Sequence, residues 1–187
     1  MLTGYAIGLF FHFLGTIALF IGFGLEWAGS SLLRGATTSD QARSWLGLYR
    51  TSQLISGPGW LVLILSGGYL ASLTGGMKQA WIFGAWIGIV VALYIGFAMI
   101  LPRVKKLRVA LPEGNAPLPA ATLAGTKDPM IATLVRVRFM LSLGIVALMT
   151  YKPAALSMSL LVLLSGIVLG LLCSIGVFSK RASQAQA

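Results

Sequence analysis

From Gly4 to Ala28 the chain carries a single charged side chain, Glu26, in a run otherwise dominated by Phe, Leu, Ile, Ala and Gly. About 20 predominantly apolar residues in helical conformation are what a chain needs to cross the hydrocarbon core of a bilayer, because a helix satisfies its backbone polar groups internally. Four more runs of this kind follow, at about 54–74, 81–101, 131–151 and 154–178. The pattern predicts an all-α, polytopic membrane helix bundle with five spans, folded as a single domain over 1–187. The composition agrees. Of 187 residues, 57% are hydrophobic and 10% charged, against about 25% charged in a soluble domain. A cleaved signal peptide has a basic start and about 7–15 apolar residues. The first run has no Lys or Arg before Arg34 and is longer, so it reads as a retained span.

The segments between the runs carry their own signals. Thr38 and Gln41 fit a capping box, and Ala42, Trp45, Leu46 and Tyr49 recur at helical spacing with Arg43 and Arg50 on another side. That is an amphipathic helix leading straight into the second span. Within that span Gly57, Pro58 and Gly59 predict a kink or a partial unwinding. The segment 102–130 holds Pro102, Pro112, Pro117, Pro119 and Pro129 and opens with basic residues, which predicts an extended, mobile connection.

Charge tests this parse. With five spans and the N-terminus outside, twelve of the fourteen Lys and Arg residues fall on the cytoplasmic side, and only Lys78 and Lys152 fall outside. Such a bias is the positive-inside rule, and it predicts a multi-pass protein of the bacterial inner membrane with a cytoplasmic C-terminus. The net charge of +10 thus points to anionic lipid rather than nucleic acid. Cys173 is the lone cysteine; it can form no internal disulfide and reads as a small packing residue.

Helices in lipid associate by close packing and interhelical hydrogen bonds. Gly8, Gly15 and Gly22 recur every seven residues in the first span; Gly84, Gly88, Ala92 and Gly96 form a small-residue ridge in the third; Gly166 and Gly170 do so in the fifth. These are helix-packing positions, and the spacing leaves open whether the facing helix belongs to the same chain or another.

His12, the only histidine, shares a helix face with Gly8 and Gly15. It lies about eight residues into the first span, or ~12 Å at 1.5 Å per residue, and is expected to be a neutral imidazole facing protein. Intramembrane ionisable groups are rare and often functional. The ring has three uses open to it: a hydrogen bond to a backbone carbonyl or to Ser56, Ser66 or Ser142; ligation of haem that is five-coordinate, uses a Met such as Met99 or Met149, or is shared between protomers; or a proton path toward Glu26, about four turns along the same face. Glu26 can equally pair with an arginine, with Arg136 and Arg138 the span-end candidates. The Tyr151-Lys152-Pro153 sequence anchors a span end and stops its helix. No nucleophile elbow, Walker loop, zinc-protease motif, Rossmann fingerprint or carboxylate pair occurs, so no catalytic residue and no metal-ligand set is assigned.

"FHFLGTIALFIGFGL", "ISGPGWLVLILSGGYLA" and "VALMTYKP", in this order over roughly residues 5–155, resemble segments of a family of small bacterial integral membrane proteins of unknown function. More distantly they resemble the copper-resistance D-like and HemJ-type protoporphyrinogen oxidase membrane proteins. The HemJ-type resemblance implies haem b held by a first-span histidine, which matches His12. It also implies a lysine in a later span, and none lies within Trp81–Leu101. The copper-resistance resemblance implies clustered His or Met ligands, whereas the seven methionines here form no Met-x-x-Met cluster. The leading expectation is a non-catalytic, helix-packing subunit of a larger membrane assembly or homo-oligomer, with a ligand groove near His12. The alternatives are a haem-b-binding redox protein, and a small transporter or lipid-binding protein using the Gly57-Pro58-Gly59 break.

Overall fold

Helix α1 (Leu2–Leu33) and helix α2 (Ser39–Leu73) form a long antiparallel hairpin. The structure, a computed structural model, describes residues 2–175. The hairpin is held by close backbone approach. A Cβ added at Gly15 would lie 2.9 Å from Leu63 N and 3.0 Å from Gly59 O, and one at Gly22 would lie 2.8 Å from Ser56 Cβ. Gly29 continues the seven-residue period and meets Trp45 O at 3.2 Å in the same sense. Thr38 caps α2 by accepting from Gln41 N at 3.4 Å, while the Gln41 side chain accepts from Thr37 N at 3.0 Å. The amphipathic segment therefore runs into the second span without a break.

The helix also runs uninterrupted through Gly57-Pro58-Gly59, so the partial unwinding allowed there does not occur. Gly57 and Pro58 are exposed, with Gly57 beside open space, whereas Gly59 is buried against α1. The proline ring thus sits on the outer face, and the close contact is made one residue later.

The second half is a three-helix group. Helix α3 (Ala80–Tyr94), a π-helical turn (Ile95–Ile100) and α4 (Leu101–Val109) form one continuous rod. Pro102 explains the wide turn: proline donates no hydrogen bond and its ring crowds the preceding carbonyl, strain that a π-bulge relieves. Helices α5 (Ala120–Thr126), α6 (Pro129–Tyr151) and α7 (Leu156–Leu172) follow. Asp128 caps α6 through Met130 N at 2.9 Å, with Pro129 in the first turn, where its missing N–H costs nothing. Helices α3, α6 and α7 pack on one another, and α1 joins this group through α6.

The extended connection expected over 102–130 is thus corrected. It begins as helix α4 and contains α5, and the strand-like piece between them is tied down. Ser39 N donates to Ala116 O at 3.0 Å and Leu118 N to Thr37 O at 3.1 Å, around an isolated bridge between Thr38 and Pro117. The cause is apolar spacing within the basic run: Val104 and Leu107, three apart on one helix face, are buried in the same core as Leu46 and Leu118.

Among the described residues there is no strand, and the fold is an all-α bundle. Four helical stretches are long and apolar enough to cross a membrane: Thr3–Leu33, Ser39–Leu73, Ala80–Val109 and Ala120–Tyr151. The fifth apolar run gives α7, with 17 residues. Its expected end at residue 178, and Lys180 and Arg181, lie outside the described residues. The outward faces are apolar, with Phe10, Phe13, Ile17 and Ile21 exposed on α1 and Leu160, Leu164 and Leu171 on α7.

Candidate functional site

Two polar groups of α1, His12 and Glu26, meet α6 at opposite ends of one helix seam, and the His12 end opens into a cavity. His12 Nδ1 lies 3.3 Å from Ser66 Oγ on α2, and Nε2 lies 3.5 Å from Met149 Sδ on α6. A thioether only accepts hydrogen bonds. Ser66 spends its one hydroxyl proton on Val62 O at 2.6 Å, so at Nδ1 the imidazole N–H donates to Ser66 Oγ, and Nε2 of a neutral ring meets the Met149 sulfur in van der Waals contact only. Gly67 makes this placement possible: a Cβ there would stand 3.0 Å from His12 Cε1. Of the serines considered from the sequence, Ser66 is the partner. Ser56 packs on Gly22, and Ser142 donates to Arg138 O at 2.8 Å.

Beside His12 is a cavity of about 380 Å³, within the usual range for a small-molecule site of roughly 300–1,000 Å³. It lies between the α1–α2 hairpin and α3. Leu9, Leu63, Ile64, Ala85 and Ile89 are among its walls; His12 and Met149 contribute one boundary, and Thr74, Gln79, Trp81 and Lys152 contribute another. The Trp81 indole N–H donates to Gln79 Oε1 at 2.6 Å, and the Gln79 amide donates to Thr74 O. Lys152 ends α6 in the left-handed region, at φ 46°, and its Nζ stands 5.5 Å from the centre of the Trp81 ring.

As placed, His12 and Met149 do not fit as opposite axial ligands of one haem. Axial ligands on opposite sides of an iron would stand roughly 4 Å apart, from metal–nitrogen and metal–sulfur bonds of about 2.0 and 2.3 Å. His12 and Met149 are closer than that, and Met99 belongs to the packed core further along the rod. Among the described residues no three His, Cys, Asp or Glu side chains cluster as metal ligands.

At the other end Glu26 and Arg138 form a buried salt bridge. Arg138 Nη1 donates to Glu26 Oε2 at 2.9 Å and to Oε1 at 3.1 Å, and the two side chains are 1% and 2% exposed. Ser52 and Gln53 of α2 also donate to Oε1, at 3.0 and 3.1 Å. The guanidinium lies 4.6 Å from the centre of the Phe23 ring and against Gly96 in the π-helical turn, where a Cβ would fall 2.7 Å from Arg138 Cζ. Arg136, two residues earlier, points elsewhere and stacks on Trp27 at 5.5 Å. Between the two ends of α1, buried Leu19 and Phe23 occupy the shared face.

The packing glycines meet helices of their own chain. Gly8 lies against Tyr69 and Leu70; Gly84 against Ser159; Gly88 against Ile145 and Leu163; Gly166 against the backbone of Met140 and Leu141; and Gly170 against Val137. Ala92 is fully buried. Gly67, Gln79 and Trp81 were not legible as site residues, because nothing in a linear pattern says which glycine leaves room for a ring 55 positions earlier. Lys152, readable only as a helix stop, stands at the cavity.

Comparison with protein-family models, with curated proteins and with solved structures finds no match to this chain. Its class follows from its own residues: an all-α helix bundle whose apolar helices suit a membrane.

Proposed function

We propose that this chain is a multi-pass integral membrane protein that holds a small amphiphilic ligand in the cavity beside His12. The single observation carrying this reading is the cavity itself, apolar along its walls and polar at a few points, the usual make-up of a ligand site. A helix-packing subunit would call for small-residue ridges turned toward another chain, whereas these are engaged inside the bundle. The charge distribution supports a bacterial inner-membrane setting with the His12 end outside. Lys78 and Lys152 lie toward that end, and Arg34, Arg43, Arg103, Lys105, Lys106, Arg108 and Lys127 lie toward the other.

Native mass spectrometry of protein purified in mild detergent tests the reading, with Gly68→Leu as the comparison. Gly68 lines the cavity and a Cβ there would meet nothing within 4 Å among the described residues, so a leucine is the side chain chosen to occupy cavity space. The wild type is expected to retain a small-molecule adduct that Gly68→Leu loses. Adducts retained equally by both proteins, or by neither, would overturn it.

A further inference from the structure

We infer that the ligand is a single-chain amphiphile with an anionic head, the head at Lys152 and the chain directed toward His12. This rests on the cavity reading above and names its ligand class. Among the described residues lining the cavity, Lys152 carries the only formal charge. The four acidic residues are all spent or placed elsewhere. Glu26 pairs with Arg138, Asp40 with Arg43, Asp128 caps α6, and Glu113 lies in the segment between α4 and α5. An ammonium without a carboxylate partner beside an apolar cavity favours an anion there, and membrane amphiphiles supply carboxylate and phosphate heads.

Two further observations give the ligand its direction. At the His12 end the ring nitrogens already face protein atoms, Nδ1 on Ser66 and Nε2 on Met149. That end offers an anion no positive charge, whereas an alkyl chain would find Leu9, Leu63 and Ile89 among the walls. At Lys152 the Gln79 and Trp81 side chains are tied to each other and to Thr74, which leaves the lysine as the charged donor there, while Tyr5 and Trp86 of the same lining offer neutral ones. The lysine's left-handed backbone is the ordinary way a helix ends, here capping α6 through Lys152 N to Leu148 O, and it fixes where the side chain leaves the helix. The Trp81 ring beneath Nζ holds the ammonium at the cavity rim.

The test is a calorimetric titration of full-length protein in a neutral maltoside detergent with decanoate, decyl phosphate and decanol, which share a chain and differ in the head. The wild type is expected to bind one or both anions roughly tenfold or more tighter than decanol, the size of a charge-assisted hydrogen bond. Lys152→Gln should erase that gap and Lys152→Arg should keep it. Decanoate ahead of decyl phosphate would identify a fatty-acid source, and the reverse order a lipid phosphate. Decanol binding as tightly as the anions would overturn the anionic assignment while leaving the cavity reading intact. Saturable binding of none of the three, or binding unchanged in Gly68→Leu, would overturn the cavity reading itself. The wild-type comparison of heads needs no variant to fold.

Discussion

Helix α1 crosses the rest of the bundle at two polar points, and the two are built differently. Around Glu26 a carboxylate and a guanidinium are locked together, roofed by Gly96 and floored by Phe23, with α2 supplying two more donors. Edge-on aromatic contacts between Phe20 and Phe139, and between Trp27 and Phe139, close the surroundings. Around His12 the contacts are a neutral hydrogen bond and a soft sulfur, and a cavity stands alongside. A buried charge demands an opposite charge because leaving it alone is so costly, and Arg138 has one in Glu26 although its Nε finds no acceptor among the described residues, whereas a neutral imidazole tolerates a loosely filled neighbourhood. One end of the seam is therefore suited to fixing the fold and the other to receiving a ligand.

Breaking the strong end should give the largest effect. Glu26→Ala leaves the Arg138 charge buried and is expected to cost about 3–5 kcal/mol, read as a lost or sharply lowered unfolding transition in mixed micelles. Replacing both partners by methionine should recover most of that loss; a double variant as unstable as the single one would show that the pair is not an isolated unit. Along the α1–α2 seam, Gly15→Ala meets backbone atoms of α2 and is expected to cost about 1–3 kcal/mol. Gly8→Ala meets the ring of Tyr69, a half-exposed side chain free to swing aside, and should cost less. Equal losses at the two positions would contradict this division between a rigid and a yielding contact. The smallest change is expected at the cavity end: Ser66→Ala removes one neutral hydrogen bond from His12, worth about 0.5–1.5 kcal/mol.

Much of the architecture was legible because a bilayer forces long apolar runs into helices, and because capping residues such as Thr38 mark their starts. The glycine periods were legible too, though not their partners, since spacing records a face and not what lies opposite. The segment after Leu101 misled for a specific reason. Proline and basic residues ordinarily break or solvate a chain, but here a π-turn absorbs Pro102 and the pair Val104 and Leu107 supplies an apolar face. At the site, His12 and its partner Ser66 could be anticipated from polarity in an apolar context. Lys152 could not be placed at the cavity, because that depends on how α6 ends beside Trp81.

The two kinds of donor to Glu26 arrive at different times during synthesis. Arg138 lies 112 residues beyond the carboxylate, while Ser52 and Gln53 lie only 26 and 27 beyond it. At about 5–20 residues per second the arginine trails by on the order of 10 s. The second helix therefore acts as an escort. Its serine and glutamine give the carboxylate company as soon as the first hairpin closes, and the guanidinium completes an arrangement that the nascent chain has already begun.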